Sequence, residues 1–281
     1  MRSADTYGRR LTILARIGFA ARGLVYLMVG WLAIDAAFHG GEPSDNQGVL
    51  GSFADNAMGR VLLILCAIGF AGYALWRLTE ALLDPERRSR NLKGKLERAG
   101  YALSGIVHAM LSIAAVNLAL RTPHSSSRSP GDRTAQSWSS WLLDQPGGQV
   151  VLAAAGVVLL VVALAQAIKA YQGRFDELAG DVPAPREVRW AGRLGYAARG
   201  VVFTLMAWFV FNAAIHENAR EAGGLGAALR QLRDQEQGPL LLGVVAAGLV
   251  LFGIFSLVEA AYRHLKIDLS EWRAAAHTLR R

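Results

Sequence analysis

The chain is patterned in long apolar blocks separated by shorter polar ones. Six blocks carry almost no charge, at 17–38, 61–83, 99–120, 150–171, 194–215 and 239–262. A helix rises ~1.5 Å per residue and satisfies its own backbone groups, so about 20 apolar residues cross the ~30 Å hydrocarbon layer. A water-soluble bundle would show a polar stripe at the 3.6-residue period, which these blocks lack. The pattern predicts an all-α membrane protein with six transmembrane helices. A short stretch of spaced apolar residues precedes each even block: Val49, Leu50 and Phe53; Trp138, Trp141 and Leu142; Leu225, Leu229 and Leu232. Each reads as an interfacial helix on the outer face. The basic arm at 1–16 imitates a secretory signal, with Arg9-Arg10 faintly like a twin-arginine one. The apolar block after it is too long for either and recurs later in the chain, so it is expected to be retained.

The blocks also repeat. Arg16-Ile-Gly-Phe-Ala-Ala-Arg-Gly-Leu-Val, Arg98-Ala-Gly-Tyr-Ala-Leu-Ser-Gly-Ile-Val and Arg193-Leu-Gly-Tyr-Ala-Ala-Arg-Gly-Val-Val align without gaps and open the odd blocks. The even blocks align on Gly59, Gly148 and Gly238, and 21 residues later on Glu80, Lys169 and Glu259. The expected architecture is therefore three repeated two-helix hairpins, at 11–90, 91–185 and 186–281. Each copy holds two spans, so all enter the membrane with one orientation around a pseudo-threefold axis. The motif R-x-G-[FY]-A-x-x-G-x-V, present three times, resembles the bacterial three-repeat membrane proteins known as domain of unknown function 1206. That resemblance covers nearly the whole chain and implies a six-helix inner-membrane protein, without any activity, ligand or catalytic residue. The middle copy departs from it, with Ser104 for the second Arg and Lys169 for the Glu.

Composition narrows the picture further. The chain is 53% hydrophobic and 19% charged, with one cysteine, Cys66, and six scattered histidines, so a disordered tail, a disulfide scaffold and a zinc or iron–sulfur module are excluded. The net charge of +8 is distributed unevenly. Outside the spans, 19 Lys and Arg lie in the arm, the 84–98 and 172–193 loops and the tail, against 7 in the other loops. By the positive-inside rule both termini are cytoplasmic. Clusters such as Arg87-Arg88-Ser89-Arg90 suit anionic headgroups at that face, and no nucleic-acid partner is expected.

Candidate chemistry is sparse. Gly18, Gly23, Gly100, Gly105, Gly195 and Gly200 are predicted to let helices approach closely. Arg16, Arg98 and Arg193 are expected to anchor at headgroups, and Trp31 and Trp208 to pack in the core. Asp35, Asn117 and Asn212 each lie 19 residues after the first motif Arg, and would ring the axis if the odd helices lined it. Within hairpins, Arg22 is expected to pair with Glu80 and Arg199 with Glu259, leaving Lys169 for an anionic headgroup or a neighbouring Glu. His108, in a span, is expected to be a hydrogen-bonded packing residue. No hydrolase, phosphate-loop or zinc-protease motif occurs, and no span carries paired deep carboxylates, so neither an enzyme nor a cofactor is expected. The proline signature of the mitochondrial carriers is missing too. The expected role is a structural, lipid- or partner-interacting bundle of the bacterial inner membrane, with a protein partner or oligomer compatible; the alternative is a small pore or transporter with a polar path along the axis.

Overall fold

The computed structural model describes residues 2–40, 43, 57–83, 92–120, 130–173 and 184–262, and among them every regular element is helical. In chain order these are α1 (Arg2–Phe38), α2 (Ala57–Leu83), α3 (Leu92–Leu120), α4 (Pro130–Leu143), α5 (Gly148–Gln172), α6 (Arg186–Ile215), a 3-10 turn (Ala219–Glu221), α7 (Leu225–Arg233) and α8 (Gly238–Tyr262). Five are long and apolar enough to cross a membrane: α1 through Arg16–Phe38, α3 through Arg98–Asn117, and α5, α6 and α8. In α2 the apolar stretch among the described residues is the shorter Leu63–Thr79.

The odd helices begin earlier than hydropathy predicts, at Arg2, Leu92 and Arg186 rather than at 17, 99 and 194. Hydropathy marks where lipid begins, whereas residues such as Leu, Lys, Glu and Arg in the 92–98 segment continue a helix into water. The two described interfacial stretches are helices α4 and α7, while Val49, Leu50 and Phe53 lie outside the described residues. Trp138 and Trp141 stand exposed on α4, edge to face at 5.8 Å, as suits rings at a membrane interface. Both helices pass into the next span through the same turn. Gly148 N donates to Gln145 O at 2.9 Å and Gly238 N to Gln235 O at 2.8 Å. Any Cβ at either glycine would collide with the carbonyl of Leu142 or Arg233, so the aligned glycines are required by the turn.

Packing follows a single path. α3 lies on α2, α2 on α1, α1 on α8, α8 on α6 and α6 on α5. In the α1–α8 pair, a Cβ at Gly23 would lie 2.9 Å from the Gly253 carbonyl oxygen and one at Gly253 would lie 2.8 Å from Gly23 O. Small residues make this possible in lipid, where apolar side chains gain little by leaving their solvent. The middle copy does not close as a hairpin: α3 and α5 are not among the packed pairs. Only 11% of the apolar stretch of α3 and 17% of that of α5 is buried, against 50% in α1 and 56% in α8. Exposed apolar surface costs nothing against acyl chains, so these helices can flank an open seam.

Candidate functional site

The polar interior gathers around Arg22. One turn beyond the Gly23–Gly253 approach, its guanidinium donates from Nε to Ser256 Oγ at 3.2 Å, from Nη1 to Tyr73 OH at 3.1 Å and from Nη2 to Glu259 Oε2 at 2.5 Å. Phe19, Tyr73 and Phe252 surround it at 4.8–5.4 Å from their centroids. Arg22 is 8% exposed and Glu259 5%. A buried pair of this kind persists only where its donors find partners, and here α2 supplies one acceptor and α8 two. The expected in-hairpin pairing therefore differs from what is found. Arg22 of the first copy takes Glu259 of the third, because the α1–α8 crossing brings those backbones together. The Glu80 side chain lies outside the described residues.

Arg199 does not pair with Glu259 as expected. Its guanidinium lies over Phe252 at 4.4 Å, Tyr26 at 5.3 Å and Phe203 at 5.4 Å, and its buried Nε has no hydrogen-bond partner. Lys169, in the last turn of α5, stands 5.5 Å from the Tyr196 ring and in the field of Arg22, Arg77, Arg199 and Glu259. Gln166, one turn earlier, is 8% exposed and its Oε1 has no partner. Arg77 donates to Tyr73 OH at 2.8 Å and lies over Tyr101 at 4.8 Å. Four cations of the apolar helices, Arg22, Arg77, Lys169 and Arg199, thus gather around one carboxylate among the described residues, Glu259, and the group is electropositive.

The other motif residues serve packing and capping. Arg98 donates to the carbonyls of Ala81 at 2.8 Å and Leu82 at 3.2 Å, and Arg193 to that of Tyr171 at 3.4 Å. These arginines close the carbonyl end of the preceding even helix, whose last four C=O groups have no partner of their own, rather than only reaching for headgroups. A Cβ at Gly18, Gly23, Gly105 or Gly195 would press into a neighbouring helix, whereas one at Gly200 meets ordinary contacts from 3.6 Å and one at Gly100 meets nothing. Gly100 and Gly200 thus do not make the predicted tight approaches. His108 donates from Nδ1 to Ser104 O at 2.8 Å and packs on Tyr73 at 4.4 Å, as a hydrogen-bonded packing residue does. Trp31 and Trp208 are 68% and 60% exposed, not core residues, because large apolar rings on a span lose nothing by facing lipid.

The polar set at the opposite end has no common setting. Asp35 is exposed and pairs with His39 at 3.1 Å; Asn117 is exposed; Asn212 lines a cleft of about 450 Å³ with Asp132, Gln136, Arg220, Glu221 and Arg230. The helices that carry them, α1, α3 and α6, pack on α2, α5 and α8 and not extensively on each other. Asp132, 1% exposed, accepts from Gly224 N at 2.8 Å and Ala227 N at 3.1 Å, and also pairs with Arg230. It thereby caps α7 and joins the middle copy to the third. At the rim, the His216 imidazole hydrogen-bonded at 2.7 Å holds the Glu221 carboxyl below its usual value.

Two of these residues are not singled out by motif reading. Asp132 looks like an ordinary first-turn acid of α4, and only the fold shows that it serves α7. Arg77 had a signal: Arg77, Gln166 and Ser256 occupy one repeat position, three residues before Glu80, Lys169 and Glu259, and all three are polar.

Comparison with known proteins agrees with the repeat. The chain is 28% identical over 254 residues to "Uncharacterized protein YxxB" of Bacillus subtilis (strain 168), covering 89% of this chain and 90% of that protein. No solved structure matches it. The family model described as "Domain of Unknown Function (DUF1206)" matches three times, at residues 17–84, 99–173 and 194–263, and the chain belongs to that family.

Proposed function

We propose that this chain is a non-enzymatic, multi-pass protein of the bacterial inner membrane, with both termini cytoplasmic, whose six spans in three copies form a lipid-binding bundle. One observation carries the reading: four cations of the apolar helices, Arg22, Arg77, Lys169 and Arg199, gather around one described carboxylate, Glu259, and the buried Nε of Arg199 has no hydrogen-bond partner. Repulsion among unmatched cations would be costly in a low-dielectric layer, and anionic headgroups relieve it. The arginine-rich segments at 84–98 and 172–193 favour anionic headgroups at that face as well. A protein partner or a second copy is compatible with this arrangement.

Lipid retention tests the reading. The full chain, extracted in mild detergent and washed extensively, should keep anionic phospholipid detectable by native mass spectrometry, and should pass no ions or small solutes when reconstituted. Loss of all anionic lipid on washing, or solute flux above empty liposomes, overturns it.

A further inference from the structure

The three copies meet one another in the same way but do not form the same hairpin. Between copies, one motif glycine meets one position of a neighbouring copy each time. A Cβ at Gly23 would lie 2.9 Å from the Gly253 carbonyl oxygen, one at Gly105 3.2 Å from Ala74 O and one at Gly200 3.6 Å from Ala163 O. Gly23, Gly105 and Gly200 are equivalent in the repeat, as are Ala74, Ala163 and Gly253, each 15 residues after the aligned Gly59, Gly148 and Gly238. Within copies, the first and third share one contact. A Cβ at Gly69 would lie 2.6 Å from Ala21 Cβ and 3.2 Å from Ile17 O, and one at Gly248 2.5 Å from Ala198 Cβ and 3.2 Å from Leu194 O. In the same two contacts a Cβ at Gly18 would collide with Tyr73, and one at Gly195 with Phe252.

The middle copy keeps this register with different side chains. Val158 stands at the position of Gly69 and Gly248, Leu103 at that of Ala21 and Ala198, and Val162 at that of Tyr73 and Phe252, while Gly100 matches Gly18 and Gly195. The two copies that close have no room for a single added carbon at the first of these positions. The middle copy would have to place an isopropyl group there and an isobutyl group opposite, so the same approach of α3 to α5 is sterically barred. Accordingly Leu103 is 39% exposed and Val158 46%, Ala99 and Gly100 are exposed, and a Cβ at Gly100 would meet nothing within 4 Å. Apolar side chains gain little by leaving lipid, so no burial force draws the two helices together in another register.

We propose that Val158 and Leu103 are wedges that prevent the α3–α5 contact of the middle copy, giving the chain a built-in lateral opening between those helices where its first and third copies are closed. Both residues lie within the long apolar stretches, Gly148–Gln172 and Arg98–Asn117, so the opening is at the depth of the spans and not at their ends. Closing it requires small residues at both positions, as the other copies have. The opening goes beyond the lipid-binding reading and stands whether or not a lipid is retained.

The test uses the full chain carrying Cys66→Ala, in phosphatidylcholine nanodiscs, with introduced cysteine pairs oxidised in place. Gly100→Cys with Val162→Cys reports the α3–α5 contact, at the positions where α1 meets α2 and α6 meets α8. Leu78→Cys with Gly105→Cys reports the α2–α3 junction, where a Cβ at Gly105 would lie 2.8 Å from Leu78 Cγ, and serves as the control for folding. A disulfide bridges Cα atoms no more than ~7 Å apart. With Val158 and Leu103 in place, the control pair should form its disulfide and the α3–α5 pair should not. With Val158→Gly and Leu103→Ala added, the α3–α5 disulfide should become the major species. Oxidation of the α3–α5 pair as complete as that of the control, with Val158 and Leu103 in place, overturns the opening. Failure of that pair to oxidise in the Val158→Gly/Leu103→Ala chain, while the control pair still forms, overturns the wedge. Should Val158→Gly/Leu103→Ala lose the control disulfide, the reverse exchange in the third copy carries the test. Gly248→Val with Ala198→Leu should abolish the disulfide that Gly195→Cys and Phe252→Cys form without it, and persistence of that disulfide overturns the proposal.

Discussion

At the scale of single residues, the placement of Arg22 shows how a charge is tolerated where charge is expensive. Translocon scales assign ~2.5–3.5 kcal/mol to an arginine at the bilayer centre, and here three acceptors on two other helices and three aromatic faces offset that cost. The interaction is therefore between α1 and α8, not within a hairpin. Arg22→Ala and Glu259→Ala should each lower stability in detergent by about 3 kcal/mol, because each strands a buried partner. The double variant should cost about 2 kcal/mol less than the sum. Strict additivity in a thermal double-mutant cycle would show that the two charges are held independently. The importance of both positions was visible in the sequence as charges inside apolar blocks. Their partnership was not, since three copies offer each Arg more than one equally spaced Glu, and only the crossing at Gly23 and Gly253 chooses among them.

At the scale of helices, boundaries and faces divide differently between sequence and structure. Apolar length located the spans, yet the basic extensions of α3 and α6 are helical as well, because helix formation does not stop where lipid does. The amphipathic stretches at Trp138 and Leu229 were legible by their spacing. The function of Asp132 was hidden: its place after Pro130 and Gly131 suggests a helix start, and its carboxylate instead holds the N–H groups of Gly224 and Ala227 some 90 residues away. Asp132→Ala should destabilise the protein by about 3 kcal/mol, through loss of a cap and of a buried partner for Arg230. Asp132→Asn, which keeps one acceptor, should cost about 1 kcal/mol. Hydrogen exchange should show α7 losing protection while α8 keeps it; uniform loss along α6 and α8 would mean that Asp132 supports the whole third copy.

At the scale of the molecule, packing runs between successive copies as much as within them: α2 on α3, α5 on α6, and α8 back on α1. First-position arginines reinforce two of these junctions by capping the preceding helix. Orientation is a property of the whole chain as well. The excess of Lys and Arg predicts that, in cells expressing a variant without Cys66, an impermeant thiol reagent labels Ser126→Cys and spares Ser89→Cys. The reverse labelling pattern would invert the topology and place the electropositive site at the outer face.

Hydropathy and repetition, both one-dimensional properties, were enough to establish the helical class, the positions of the long apolar helices and the triple repeat, because lipid imposes a length and a composition on any segment suited to cross it. They also marked most residues of the polar interior, as departures from an apolar background. What tertiary structure alone decided was which of them meet: Arg22 with Glu259, Asp132 with α7, and Arg199 with the rings of Tyr26, Phe203 and Phe252. Such contacts depend on which helices cross, and at what glycine, and in lipid the apolar pattern is nearly silent about that choice, since outward and inward faces are equally hydrophobic.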